Sequence, residues 1–118
     1  MRARGVVVAV LLAGPAAAQD WQVLDGAAIR AALEAKDVRY ADGSEQLFFY
    51  GGITRFSHGW PNEGRWKVTG EMYCSEWPPA RGWACYAVSA TPDLGRLRFE
   101  GADHKVVEGW VVGAAKWP

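Results

Sequence analysis

Few residues of this 118-residue sequence stand in patterns that do chemistry, and the two cysteines come first. Cys74 and Cys85 are separated by ten residues that include Pro78, Pro79 and Gly82, a turn-forming stretch. An even count, in a chain with the export signal described below, points to a disulfide. A redox pair would more often be Cys-x-x-Cys, and a zinc site would need further Cys or His nearby. The two histidines, His58 and His104, fall in loop-like segments, one before Gly59-Trp60-Pro61 and the other between Asp103 and Lys105. As metal ligands they would require carboxylates such as Glu63 or Asp103, and ordinary solvated histidines are the simpler reading. Asp103 and His104 with Ser57 or Ser89 make a triad only on paper, because a triad is defined by geometry. Glu63, Glu71 and Glu76 provide the carboxylates that glycoside hydrolysis needs, as most exported domains do. No nucleophile elbow, zincin, phosphate-loop or dinucleotide fingerprint is present. The sequence therefore predicts no catalytic residue, no metal and no cofactor.

The seven tryptophans say more. Trp66, Trp83 and Trp110 fall within strand-like patterns and read as core or sheet-face residues, while Trp21 and Trp117 read as ties for the two ends. Trp60 and Trp77 each precede proline, in Trp60-Pro61 and Trp77-Pro78-Pro79. An indole on a loop is costly unless it covers apolar neighbours or meets a partner. Trp77, Arg81 and Trp83 would surround the disulfide-closed tip, a rigid platform for stacking a sugar or docking a protein. The alternative is that Trp77 folds back over the bridge as a cap. The candidate binding residues are Trp60, Trp77, Arg81 and Trp83.

One helix is signalled among the elements that must position these residues. Asp25 caps Gly26–Lys36, Ile29 and Leu33 share a face with Ala32, Leu24 staples the entrance, and Lys36 suits the C-terminal end. Beyond it run short aromatic or β-branched segments broken by Gly, Pro and Asp. The candidate strands are 38–41, 46–50, 53–57, 65–69, 71–74, 83–89, 95–100 and 106–112. Asp42-Gly43 and Gly51-Gly52 are tight-turn signals. Turns recurring about every 8–12 residues argue for an antiparallel meander rather than βαβ units. The expected fold is mainly β with one N-terminal helix, the meander forming a small curved sheet or lipocalin-like partial barrel.

Length and charge set the frame. The segment 1–18 reads as a signal peptide: Arg2 and Arg4, the apolar run Gly5–Gly14, Pro15, then Ala16-Ala17-Ala18 before Gln19. That run is about half of what a membrane-spanning helix needs. The remainder, 19–118, is expected to be a single exported domain, periplasmic or secreted and not membrane-spanning once cleaved. Thirteen acidic and thirteen basic residues cancel, which gives no electrostatic reason to expect nucleic acid.

The stretch Gly64-Arg65-Trp66 through Tyr73-Cys74-Ser75-Glu76-Trp77, followed by Trp83-Ala84-Cys85-Tyr86, resembles a family of small exported bacterial proteins catalogued as a domain of unknown function. Their shared pattern is G-x-W, a tight turn, Y-C-x-x-W, a short loop and W-x-C-Y, and Leu24–Arg30 is similar to their start. The resemblance implies a compact β-rich domain, both cysteines paired, and a periplasmic or secreted location. It implies no activity. The function expected from the sequence is non-enzymatic binding of an envelope protein or glycan. Carriage of a small apolar ligand inside the curved sheet is one alternative, and an enzyme acting on cell-wall glycans is the other.

Overall fold

The computed structural model describes residues 20–117, so the signal-peptide segment lies outside the described residues. A two-residue strand β1 (Gln22–Val23) leads into helix α1 (Gly26–Leu33). There follow β2 (Lys36–Tyr40), β3 (Glu45–Phe48), β4 (Ile53–Ser57), β5 (Pro61–Thr69), β6 (Met72–Glu76), β7 (Ala84–Ala90), β8 (Arg96–Glu100) and β9 (Val106–Ala114). Each strand from β2 to β9 pairs antiparallel with the next in sequence, and β9 returns to pair with β2. The meander is thus a closed eight-stranded up-and-down barrel rather than a partial one, with β1 added beside the far end of β7. Closure satisfies every strand edge within the barrel, and the remaining open edge is short.

Local chemistry accounts for the elements. Asp25 accepts the Ala28 N–H at 2.9 Å and starts α1, and the preceding Leu24 is buried in the same apolar cluster as Ile29, Ala32 and Leu33. The helix stops at Leu33 rather than continuing to Lys36. Glu34 is already extended, Ala35 takes a positive φ of 63°, and Lys36 joins β2 opposite Phe48. The sequence signal for the helix end is half right, because Lys36 Nζ still donates to the Ala31 carbonyl at 3.1 Å. Gly26 is required where α1 begins, since a Cβ there would collide with the Gly70 carbonyl.

Strand alternation then sorts side chains. Val38, Phe48, Trp66, Val88 and Leu97 point inward and form the core with Ile29 and Leu33 of α1, which closes this end of the barrel. Arg39, Arg55, Arg65, Lys67 and Arg98 alternate with them on the outer wall. Arg96 and Arg98 converge there on Glu108 at 2.9 and 3.0 Å, and Arg98 lies 3.9 Å from the Trp21 ring, which ties the N-terminal end to the barrel. At the other end of the chain, Trp117 packs edge-on against Phe49.

Asp37 on β2 sits badly for a carboxylate. Burial, then hydrogen bonding to and repulsion from Glu45, push its carboxyl up to about 6, against a weaker pull from Arg39. Because the folded state binds this proton more tightly than the unfolded chain, the associated stability is complete below the ordinary Asp range. It is lost as pH rises through about 6. Asp37→Asn is therefore expected to raise the Tm at about pH 7.5. It should also flatten the rise in Tm that the unsubstituted protein shows between about pH 7 and 5, as read by calorimetry. An unchanged pH profile would refute this assignment.

Candidate functional site

The end opposite α1 is open. A cavity of about 420 Å³ occupies the barrel mouth, walled by Tyr40, Phe56, Tyr73, Trp77, Tyr86 and Phe99. An eight-stranded barrel is about the smallest that admits one small ligand rather than side chains alone. The space exists because the inward side chains divide into two levels. Phe48, Val38 and Trp66 fill the level next to the helix, whereas the upper level is lined by rings standing along the wall.

A hydrogen-bonded floor separates the two levels. Gln46, only 4% exposed, accepts from Tyr40 Oη at 2.7 Å and donates to Thr54 Oγ1 at 2.9 Å and Tyr73 Oη at 3.0 Å. Thr54 passes its own proton to the Leu47 carbonyl at 2.8 Å. Both ends of the Gln46 amide are satisfied, so the network fixes the tyrosines in place. Tyr73 accepts from Gln46, which leaves its hydroxyl proton to be given elsewhere. Burial pushes the Tyr73 phenol up to about 12 and that of Tyr40 well above its ordinary range, so both are neutral at physiological pH.

The walls follow from register. Tyr73 on β6 stands opposite Tyr86 on β7, and their rings stack with centroids 5.6 Å apart and planes 22° from parallel. Tyr73, Ser75 and Trp77 share one parity, which carries Trp77 inward although it lies one residue past the end of β6. Its ring meets Phe56 edge-on at 6.1 Å, and its N–H donates to Ser75 Oγ at 3.2 Å. Gly64 on β5 makes room for that indole: a Cβ there would stand 2.5 Å from the Trp77 ring and 2.6 Å from the Glu76 carbonyl.

The rim is polar. Asp42, in the β2–β3 turn, accepts from the Ser44 backbone at 2.9 Å and from the Ser44 hydroxyl at 2.6 Å. These two bonds, the hydroxyl first, hold its carboxyl below the usual range. Asn62 and Val107 complete the rim from β5 and β9.

The sequence-predicted binding residues separate. Trp77 lines the cavity, whereas Trp83 lies on the outer wall, 38% exposed, with Lys67 Nζ 4.1 Å from its ring centroid. Lys67 is the cross-strand partner of Cys74, so Trp83 occupies the disulfide's side of the wall and Trp77 the other. Arg81 is exposed on the loop that follows the cis Pro78–Pro79 bond. Trp60 stands at the rim, 82% exposed. The Cys74–Cys85 disulfide is formed between directly paired residues of β6 and β7. Neither the shared platform nor the cap over the bridge is what Trp77 contributes to.

Of the carboxylates and histidines considered for catalysis, none lines the cavity, and His58 reaches only its rim, 3.8 Å from Asp42 Oδ2. Glu76 accepts the Gly82 N–H and pairs with Arg65, which together lower its pKa, the Gly82 bond most. His104 pairs with Glu100, and Glu63 and Glu71 are exposed and absent from the cavity lining. Among the described residues, no group of three or more His, Cys, Asp or Glu is placed to hold a metal ion. Tyr40, Gln46, Phe56, Tyr73 and Tyr86 were not singled out from sequence. Their signal is the inward parity of five strands, which becomes readable only once register is known.

Fold and site together define a small eight-stranded up-and-down barrel, helix-closed at one end and holding a ligand-sized aromatic mouth at the other. No family model, curated protein or solved structure matches the chain.

Proposed function

We propose that this protein is a non-enzymatic binder of one small, largely aromatic or apolar molecule, held in the barrel mouth. The observation that carries this reading is the 420 Å³ cavity itself, ringed by aromatic side chains above a fully hydrogen-bonded floor. A ligand there would bury its body against Phe56, Tyr86 and Trp77 and take a hydrogen bond from Tyr73. Asp42 is the single carboxylate among the lining residues, and hydrolysis of a glycoside uses two, which favours binding over catalysis. A disulfide suits an oxidising compartment, and with the signal-like N-terminus supports a periplasmic or secreted location. The charged outer wall is the wrong surface for lipid, which supports a barrel that works in water.

A second reading, docking of an envelope protein or glycan, draws on the exposure of Trp60 at the rim.

The test is titration with N-phenyl-1-naphthylamine, a neutral dye that brightens in apolar surroundings. The unsubstituted protein is expected to give saturable, one-to-one binding. Asn62→Trp, which fills the mouth from an exposed rim position, should weaken it by at least about ten-fold while leaving the Tm nearly unchanged. Equal binding by the two proteins, or none by either, would overturn the cavity reading and leave rim docking as the better account.

A further inference from the structure

We propose that the molecule taken up in this mouth is a small organic cation, an arylalkylammonium or quaternary ammonium. The inference rests on the cavity reading above and adds the sign of the ligand's charge. Asp42 is the one formally charged residue among those lining the cavity, and no Lys, Arg or His is among them. An anionic ligand, such as a fatty acid, would lose its hydration there and meet no cation in return. A cation meets the opposite situation. Aromatic rings present electron-rich faces, and six of them line this space with a carboxylate at its entrance.

Asp42 is also built to stay ionised and in place. Both Ser44 bonds fall on its Oδ1, which leaves Oδ2 with no hydrogen bond among the described residues. The nearest basic group to that oxygen is His58 Nδ1, in a long ion pair at 3.8 Å with both side chains more than half exposed. Ser44 itself is buried, which anchors the carboxylate from below. Beneath, the neutral phenols of Tyr40 and Tyr73 add dipoles without adding charge.

Three probes of similar size separate the possibilities: phenyltrimethylammonium, its neutral isostere tert-butylbenzene, and benzoate. Each is tested for displacement of bound N-phenyl-1-naphthylamine at about pH 7.5. The cation is expected to displace the dye at a concentration at least about ten-fold lower than the neutral isostere, with benzoate weakest. Asp42→Asn keeps an acceptor for the Ser44 N–H and should erase most of the cation's advantage over tert-butylbenzene, each measured against the variant's own affinity for the dye. If the neutral isostere competes as well as the cation, or if Asp42→Asn leaves the cation's advantage intact, the charge assignment fails and the cavity reading survives. If the dye itself does not bind, both fail together.

Discussion

Phe48→Ala is expected to cost about 3–5 kcal/mol, enough to leave a domain of this size marginal or unfolded at room temperature. Phe48 has no exposed surface and stands at the junction of the two levels of the barrel. Its ring meets Trp66 edge-on at 5.4 Å and Tyr73 edge-on at 5.6 Å. Trp66 is itself fixed by an N–H bond to the Phe49 carbonyl at 3.0 Å. Truncation therefore removes a whole ring from between rigid neighbours that have little freedom to close the gap. It also withdraws support from Tyr73, so surviving folded protein should hold the dye more weakly. Urea unfolding measures the first effect through the midpoint at constant slope. A loss below about 1 kcal/mol would mean that the lower level repacks far more easily than this geometry allows.

Removing the disulfide is the other large change. The bridge closes the ten residues between Cys74 and Cys85, and loop-closure entropy for a ring of that size amounts to about 3 kcal/mol at room temperature. Calorimetry of Cys74→Ala/Cys85→Ala should show a Tm lowered by roughly 10–20 °C. Reduction of the unsubstituted protein should lower the Tm comparably. Trp77 and Arg81 belong to the closed loop, so the rim should loosen before the barrel does. Faster ligand release, with little change in the rate of association, is the companion result. A Tm within a few degrees of the original would show that β6–β7 pairing alone already confines the loop.

Local signals were easy to read in this chain, and non-local ones were not. The Asp25 cap, the tight turns and the β-branched runs produced the helix and all eight barrel strands, because each depends on neighbours within a few residues. β1 went unseen because two residues carry no alternation. The N-terminal part of β5 was hidden because Trp60-Pro61 reads as a loop, although proline is acceptable at the first position of a strand. Closure depends on β2 meeting β9, and nothing near either strand encodes that meeting. The same division holds at the site. Cys74 and Cys85 were legible as a pair from their count and spacing. Trp77 was legible as important but not as inward, because its parity with Tyr73 and Ser75 has meaning only when β6 is known to continue toward it. Gln46 offered no signal, since a lone glutamine in a short strand looks like a surface residue until partners from three other strands surround it.

The seam between β2 and β9 also sets the order in which the molecule is made. Every other junction of the barrel joins consecutive strands through a hairpin, whereas Val38 and Val111 are 73 positions apart. Hairpins zip early and cheaply, while a contact of that span must wait for the intervening chain to be ordered. Until β9 arrives, β2 and β8 both present unpaired edges, so the growing polypeptide is an open, curling ribbon with its aromatic interior exposed. The barrel comes into being only when its last strand does. A chain cut before Val106 should therefore accumulate as an aggregation-prone ribbon rather than as a smaller barrel.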